Sequence, residues 1–341
     1  MSKRHGDGGL KQVGEIPAMK TIAKKYAPPT RAQLELVDAA AAIHEAPDAV
    51  ERAFMARQLV LCTLPHSDPG NVEAWTRRTG NGSLTIQRGW DAEEERSIGY
   101  PFGTIPRLLL YWITTEVQKT KNQQDLTTDE KRTLQLGRSL AGFMREVGLN
   151  PETGGGKRGD GKRLHNQMNR LFASRISFQQ TFADDPTRHG KAWLNMDVAP
   201  RGELWWNPRT PEQGVLWQSW IQLGQEFYDA LVTLPVPVDM RALRALTRSP
   251  LALDLYAWVC FRAFVIVQKK LPPQFTAWGL LMRQLGGDYA NPDDFKRKAK
   301  VALRKISALY PGLTIGDAKG GFTIHANRLA VPQKDSGKLL G

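Results

Sequence analysis

The stretch from Phe275 to His325 constrains this chain most, because helix and strand signals follow one another there without a gap. Thr276 carries a hydroxyl able to cap a helix running from Ala277 through Leu285, and Gly286-Gly287 stops it. A second helix is announced by Asn291 as cap, by Pro292 where a missing N–H costs nothing, and by Asp293 and Asp294 at the positive end of the dipole. On a helical projection Phe295, Ala299, Ala302, Ile306 and Leu309 make one apolar stripe, with Lys296, Arg297, Lys300 and Arg304 opposite. Beyond Pro311-Gly312, Leu313-Thr-Ile315 and Phe322-Thr-Ile-His325 predict a hairpin around the glycine-rich loop Gly316 to Gly321.

A charged face opposite an apolar one describes many merely solvated helices. This one is one-signed: positions 296 to 305 hold six basic residues and no acid, so only the two aspartates of the first turn oppose them. Helix, turn, basic helix and hairpin in that order predict a winged helix that offers its basic face to DNA.

Net charge supports a polyanionic partner, at +13 with a pI near 9.8. A membrane is disfavoured: the most apolar run, Leu255 to Val267, is too short to span a bilayer and carries Arg262, so it predicts a buried helix. The polar N-terminus shows no signal peptide. Two cysteines, Cys62 and Cys260, without CxxC spacing predict a reducing cytoplasm and no zinc site, and Cys62 with His66 lacks a second ligand pair. At 341 residues the chain suits two domains.

The expected fold class is α+β: two tandem winged-helix domains, mostly helical with β-hairpin wings. Residues 1–30 hold six basic residues and two acids and predict a disordered basic arm. Residues 31–232 form the first domain with extra helices and strands, opening with helices over Leu34 to Ala41 and Val50 to Leu59. Between Leu64 and Tyr100 only a hairpin around Leu84-Thr-Ile86 is legible. Thr104 then caps a helix, another spans Leu136 to Val147, and a basic helix covers Gly161 to Phe172. In that helix Leu164, Met168, Leu171 and Phe172 pack, while Lys162, Arg163, Asn166, Asn169 and Arg170 face out. Arginine and asparagine pair bidentately with guanine and adenine edges, which makes Arg163 the leading base reader.

Alternating strands from Arg175 to Phe182, Trp193 to Val198 and Glu203 to Trp206 predict the wing. Trp205, Trp206, Trp217 and Trp220 are expected in the core rather than as stacking platforms. Residues 233–240, with Pro235 and Pro237, predict a stiff linker that proteases would cut; 241–327 form the second domain and 328–341 a flexible tail.

No enzymatic pattern survives. Gly156 to Arg163 nearly matches a phosphate-binding loop, but Arg163 stands where a magnesium-binding hydroxyl is needed and no strand precedes it. No His-x-His pair of a nicking enzyme occurs, and Glu93-Glu94-Glu95 and Asp184-Asp185 suit a solvated surface. No catalytic residue, metal or cofactor is expected.

Four segments are similar to plasmid-encoded RepA replication initiators: Tyr100 to Glu116 (YPFGTIPRLLLYWITTE), Leu136 to Leu140 (LGRSL), Phe143 to Leu149 (FMREVGL) and Ser249 to Trp258 (SPLALDLYAW). The resemblance spans about Ala53 to His325. It implies tandem winged helices that bind direct repeats in double-stranded DNA at a plasmid origin, help open adjacent A·T-rich DNA, and recruit host replication proteins such as a helicase or initiator. Monomer and homodimer both stay open, and so does a second function, a transcriptional regulator with the same modules. The expected DNA-binding residues are Lys162, Arg163, Asn166, Asn169, Arg170, Lys296, Arg297, Lys300 and Arg304.

Overall fold

Thr30 starts the fold with a reciprocal cap. Its hydroxyl accepts from the Gln33 amide at 3.3 Å and the Gln33 side chain accepts from the Thr30 amide at 2.8 Å, launching α1 (Arg31–Glu45). The computed structural model describes residues 28–80, 82–137, 139–151, 160–185, 188–205, 219–286 and 289–332. Most of the basic arm, the loop before Asp160, Trp206, Trp217, Gly287 and the end of the tail lie outside them.

The second helix expected over Val50 to Leu59 is instead β1 (Arg52–Met55) followed by the short α2 (Arg57–Leu61). The expected hairpin is β2 (Trp75–Thr79) with β3 (Gly82–Gln87), and β4 (Gly89–Asp91) with β5 (Arg96–Gly99) adds another. Next, α3 (Thr104–Thr120) is capped by Gly103, whose φ of 79° only glycine adopts freely, and not by Thr104. The chain continues through α4 (Thr128–Arg132), β6 (Thr133–Gln135) and α5 (Leu140–Glu146). Ser139 caps α5 through the Gly142 amide at 3.1 Å, so this helix begins four residues later than the apolar pattern from Leu136 predicts. The first basic helix is α6 (Asp160–Phe172).

Its hairpin, β7 (Arg175–Asp185) with β8 (Arg188–Asp197), is longer than predicted and joins the earlier one in a sheet ordered β2-β3-β7-β8. A second sheet has order β6-β10-β9, with β9 at Arg201–Glu203 and β10 at Trp220–Gln222, and α7 (Gln225–Val232) follows.

The expected linker is a strand. β11 (Val236–Asp239) pairs antiparallel with β1, and Val236, Val238 and Asp239 are buried. Proline suits such an edge position, where the missing donor faces away from the ladder. Then come α8 (Met240–Leu246), α9 (Pro250–Gln268), β12 (Gln274–Ala277), α10 (Trp278–Leu285), α11 (Pro292–Leu309), β13 (Leu313–Ala318) and β14 (Gly321–Ala326). Thr276 therefore sits in a strand rather than capping α10, since its backbone finds a ladder partner in Phe322. The hairpin turn is also tighter than expected, with Lys319 and Gly320 alone between Ala318 and Gly321 and φ of 76° at Gly320.

Helix and sheet are mixed throughout as α+β, and one continuous apolar core runs from Ile43 to Ala326. α9 lies at its centre, with Leu251 to Cys260 all buried. By length and composition α9 alone among the described helices could cross a membrane, but here it is the core helix that the apolar run predicts. α1 packs against α8 and α11, and α2 and α3 against α9, so the first residues of the fold lean on the last.

One prediction follows from β11. Limited digestion with a non-specific protease should spare residues 233–240 of the native chain, because cleavage there requires unpairing β1 and exposing buried valines. Early cleavage within that span, with two stable halves, would restore the linker.

Candidate nucleic-acid interface

In the second module the order is helix, strand, helix, helix, strand, strand (α9 to β14), with sheet order β12-β14-β13. Asn291 caps α11, its side chain accepting from the Asp293 amide at 2.8 Å. The expected apolar stripe is fully packed: Phe295, Ala299, Ala302, Ile306 and Leu309 are buried, with Leu303 beside them. Gly286 is needed at the preceding turn, since a Cβ there would lie 2.6 Å from the Phe295 ring.

The opposite face offers Lys296, Arg297, Val301, Arg304 and Lys305 to solvent. Lys296 and Arg304 have no ion-pair partner among the described residues. Arg297 and Lys298 share Asp294, at 2.5 and 3.0 Å, and hydrogen bonds from Lys298 and then Arg297 hold that carboxyl below its usual range. Lys300 is partly withdrawn. Its ammonium meets Asp317 of the hairpin at 2.7 Å and lies 6.0 Å from the centre of the Trp278 ring. Lys300, with Arg304 and Lys296 nearby, holds the Asp317 carboxyl below its usual range. Lys300 thus ties hairpin to helix, a role the helical projection cannot show because Asp317 lies outside the helix.

In the first module α6 packs Leu164, Met168, Leu171 and Phe172 as expected. Sequence reasoning missed Gln167, a polar residue in that buried stripe, whose side-chain oxygen accepts from the Phe102 amide at 2.9 Å. Lys162, Arg163 and Asn166 are exposed, and Asn169 is half-buried. Arg163 pairs with Asp160 at 2.8 Å, a surface pair that yields easily.

Arg170 differs from the expectation of an outward DNA contact. Its guanidinium donates to Asp68 at 2.9 Å and to the Tyr100 carbonyl at 3.1 Å, and lies over the Phe102 ring at 5.2 Å. It straps the loop before α3, where a Cβ at Gly99 would collide with it, because Asp68, Gly99 and Tyr100 pack over the outward face at the last turn of α6.

Of the tryptophans expected in the core, Trp205, two residues past the edge strand β9, is 56% exposed and Trp220 is half-buried. Trp193, on the sheet-edge strand β8, is 66% exposed as well, since the outer pleat of an edge strand meets no second layer there.

A larger polar feature joins the modules. Arg107, on the apolar face of α3, donates to both carboxylate oxygens of Asp254 in α9, at 2.7 and 2.8 Å, and also to the carbonyls of Leu64 (2.7 Å), Pro65 (3.0 Å) and Gly103 (2.6 Å). His66 Nε2 stands 2.8 Å from Asp254 Oδ2. The signal was an arginine and an aspartate, each set in the apolar first half of its helix. Its geometry is rigid support for the interface rather than part of it.

Comparison with known proteins gives one family and a remote structural likeness. A family profile described as "Plasmid encoded RepA protein" matches residues 100–279, a little over half the chain, from just before α3 to the start of α10. The matched span is narrower than the resemblance read from the sequence, and α11 lies outside it. No curated protein matches. A solved structure titled "Crystal structure of SeMet derivatives of domain2 and domain 3 of RctB" shares 9% identity, with 76% of this chain and 94% of that chain covered and a TM-score of 0.42, too low to carry weight.

Proposed function

Because this chain belongs to the family of plasmid-encoded RepA proteins and has a role in initiating replication, we propose that it does so as a double-stranded DNA binder with two reading heads. The observation that carries this is the pair of basic helices, α6 and α11, each preceded by a helix, followed by a hairpin, and packed through one apolar face. Both modules are read as winged helices. The second has that order throughout; in the first, β6 pairs with β10 instead of with the hairpin, which β3 flanks.

Two heads in one chain suit an asymmetric site of about two helical turns, repeated in tandem beside the A·T-rich DNA that is opened. Host replication proteins would then be recruited to the opened origin. α6 contributes Lys162, Arg163, Asn166 and Asn169, and α11 contributes Lys296, Arg297 and Arg304. Lys300 acts through its tie to the hairpin.

Base reading and backbone attraction fail differently under mutation. Asn166→Ala should cost about 1–3 kcal/mol on duplex carrying the origin repeats and much less on scrambled duplex. Arg304→Ala should weaken both alike and reduce the salt slope by about one unit. Competition binding with both DNAs is the measurement. Wild-type protein that does not prefer the repeats would sink the proposal, and equal losses for Asn166→Ala would mean that α6 grips backbone without reading.

A further inference from the structure

Between the two basic helices lies a groove of about 670 Å³ bordered by the starts of α1, α3 and α6, the turn from α8 to α9, and one side chain of α11. Five cations line it, Arg31, Arg163, Arg244, Arg248 and Lys305, against two carboxylates, Glu35 and Asp160. The pairing within it is incomplete. Glu35 is shared by Arg31 at 2.9 Å and Arg248 at 3.1 Å, Asp160 takes Arg163, and Arg244 turns to Glu51. Lys305 has no ion-pair partner among the described residues. The arginine heads are solvent-accessible, with side-chain exposures of 87% for Arg31 and 66% for Arg248.

Charged walls of one dominant sign do not suit a small apolar ligand, whose pockets are mostly hydrophobic. They suit an anion, and a long one, because the charges are spread along a groove and not gathered at a point. Its lining is informative. Arg163 belongs to α6 and Lys305 to α11, so the groove borders both proposed reading heads. When two helices address successive major-groove segments of one duplex, the surface between them faces the intervening backbone, which carries one negative charge about every 3.4 Å per strand.

We propose that this groove is a phosphate-binding channel that grips the DNA backbone between the two segments addressed by α6 and α11, chiefly through Arg248 and Lys305. It rests on the DNA-binding reading above. The channel adds affinity without sequence preference and fixes the spacing between the heads.

The test uses the full chain with Arg248→Ala and Lys305→Ala combined, both exposed positions. Binding is measured against salt on random duplexes of about 30 bp, long enough for both heads, and about 10 bp, one helical turn. On the long duplex the variant's slope of log K against log salt should be shallower than wild type by about two units, and on the short duplex unchanged. The charge-conserving pair Arg248→Lys and Lys305→Arg should restore the long-duplex slope.

An unchanged slope on the long duplex overturns the channel while leaving the DNA-binding reading intact, and so does an equal loss on both lengths, which marks a diffuse charge effect. Inorganic pyrophosphate binding that the double variant abolishes, with the DNA slope unaltered, would reassign the groove to small anions and likewise overturn it. Wild-type protein with no salt-steep duplex binding fails the underlying reading as well.

Discussion

Raising salt from about 50 to 200 mM should weaken duplex binding by about 10³–10⁵-fold, the fall expected when 6–10 phosphates are neutralised. The supply of cations matches that demand: Lys162, Arg163, Lys296, Arg297 and Arg304 on the two helices, with Arg31, Arg248 and Lys305 between them. Several are paired in the free protein, Arg163 with Asp160 and Arg297 with Asp294. Such exposed pairs are weak because solvent screens them, so phosphate outcompetes the carboxylate at little cost. The slope of log K against log salt on about 30 bp of duplex decides the matter, and a value shallower than about −3 leaves no room for two docked modules.

Arg107→Ala or Asp254→Asn should lower the free energy of unfolding by about 3–5 kcal/mol, because each leaves a buried charge without its partner. Arg107 is 2% exposed and makes five hydrogen bonds, all of which hold α3, α9 and the segment Leu64 to Gly103 in one arrangement. Urea midpoints of wild type and variants would measure the loss, and a change under about 1 kcal/mol would show that water reaches the pair. Replacing both partners with apolar residues of similar volume should be milder than either single change, since no orphan charge remains.

The same pair sets an acid dependence. Burial alone would raise the Asp254 carboxyl, but the Arg107 guanidinium and the His66 hydrogen bond overcome it and hold the group far below the usual carboxylate range. Burial lowers His66, against its hydrogen bond to Asp254, so the folded state keeps the imidazole neutral. Below its ordinary value of about 6.5 the unfolded chain takes up a proton at His66 that the folded chain refuses, and stability falls with pH. Asp254 adds its own loss below about 3.9, where the unfolded carboxyl protonates first. His66→Gln should flatten the stability profile below about pH 6.5, as urea unfolding at a series of pH values would measure.

Local signals were strong where one helix face had to pack. The stripe from Phe295 to Leu309 and the set Leu164, Met168, Leu171 and Phe172 are buried as helical spacing predicts, and Asn291 caps α11 as its residue type predicts. A 3.6-residue period needs no knowledge of what lies opposite, so the basic faces were legible as well. Sheet partners were not. β1 looked helical and β11 looked like a linker because each is a strand only by virtue of the other, and Arg52 and Asp239 stand 187 positions apart. Arg170 and Lys300 were read by charge alone and Arg107 was not singled out; their roles came from Asp68, Asp317 and Asp254, acids brought near by packing. The sequence by itself determined that the two basic helices are amphipathic, where α11 starts, and the sign of what they offer. Tertiary structure decided which cations are spent inside the fold and that the two basic helices border one groove, because an ion pair or a sheet ladder depends on separation in space, which residue order leaves open until the core has closed.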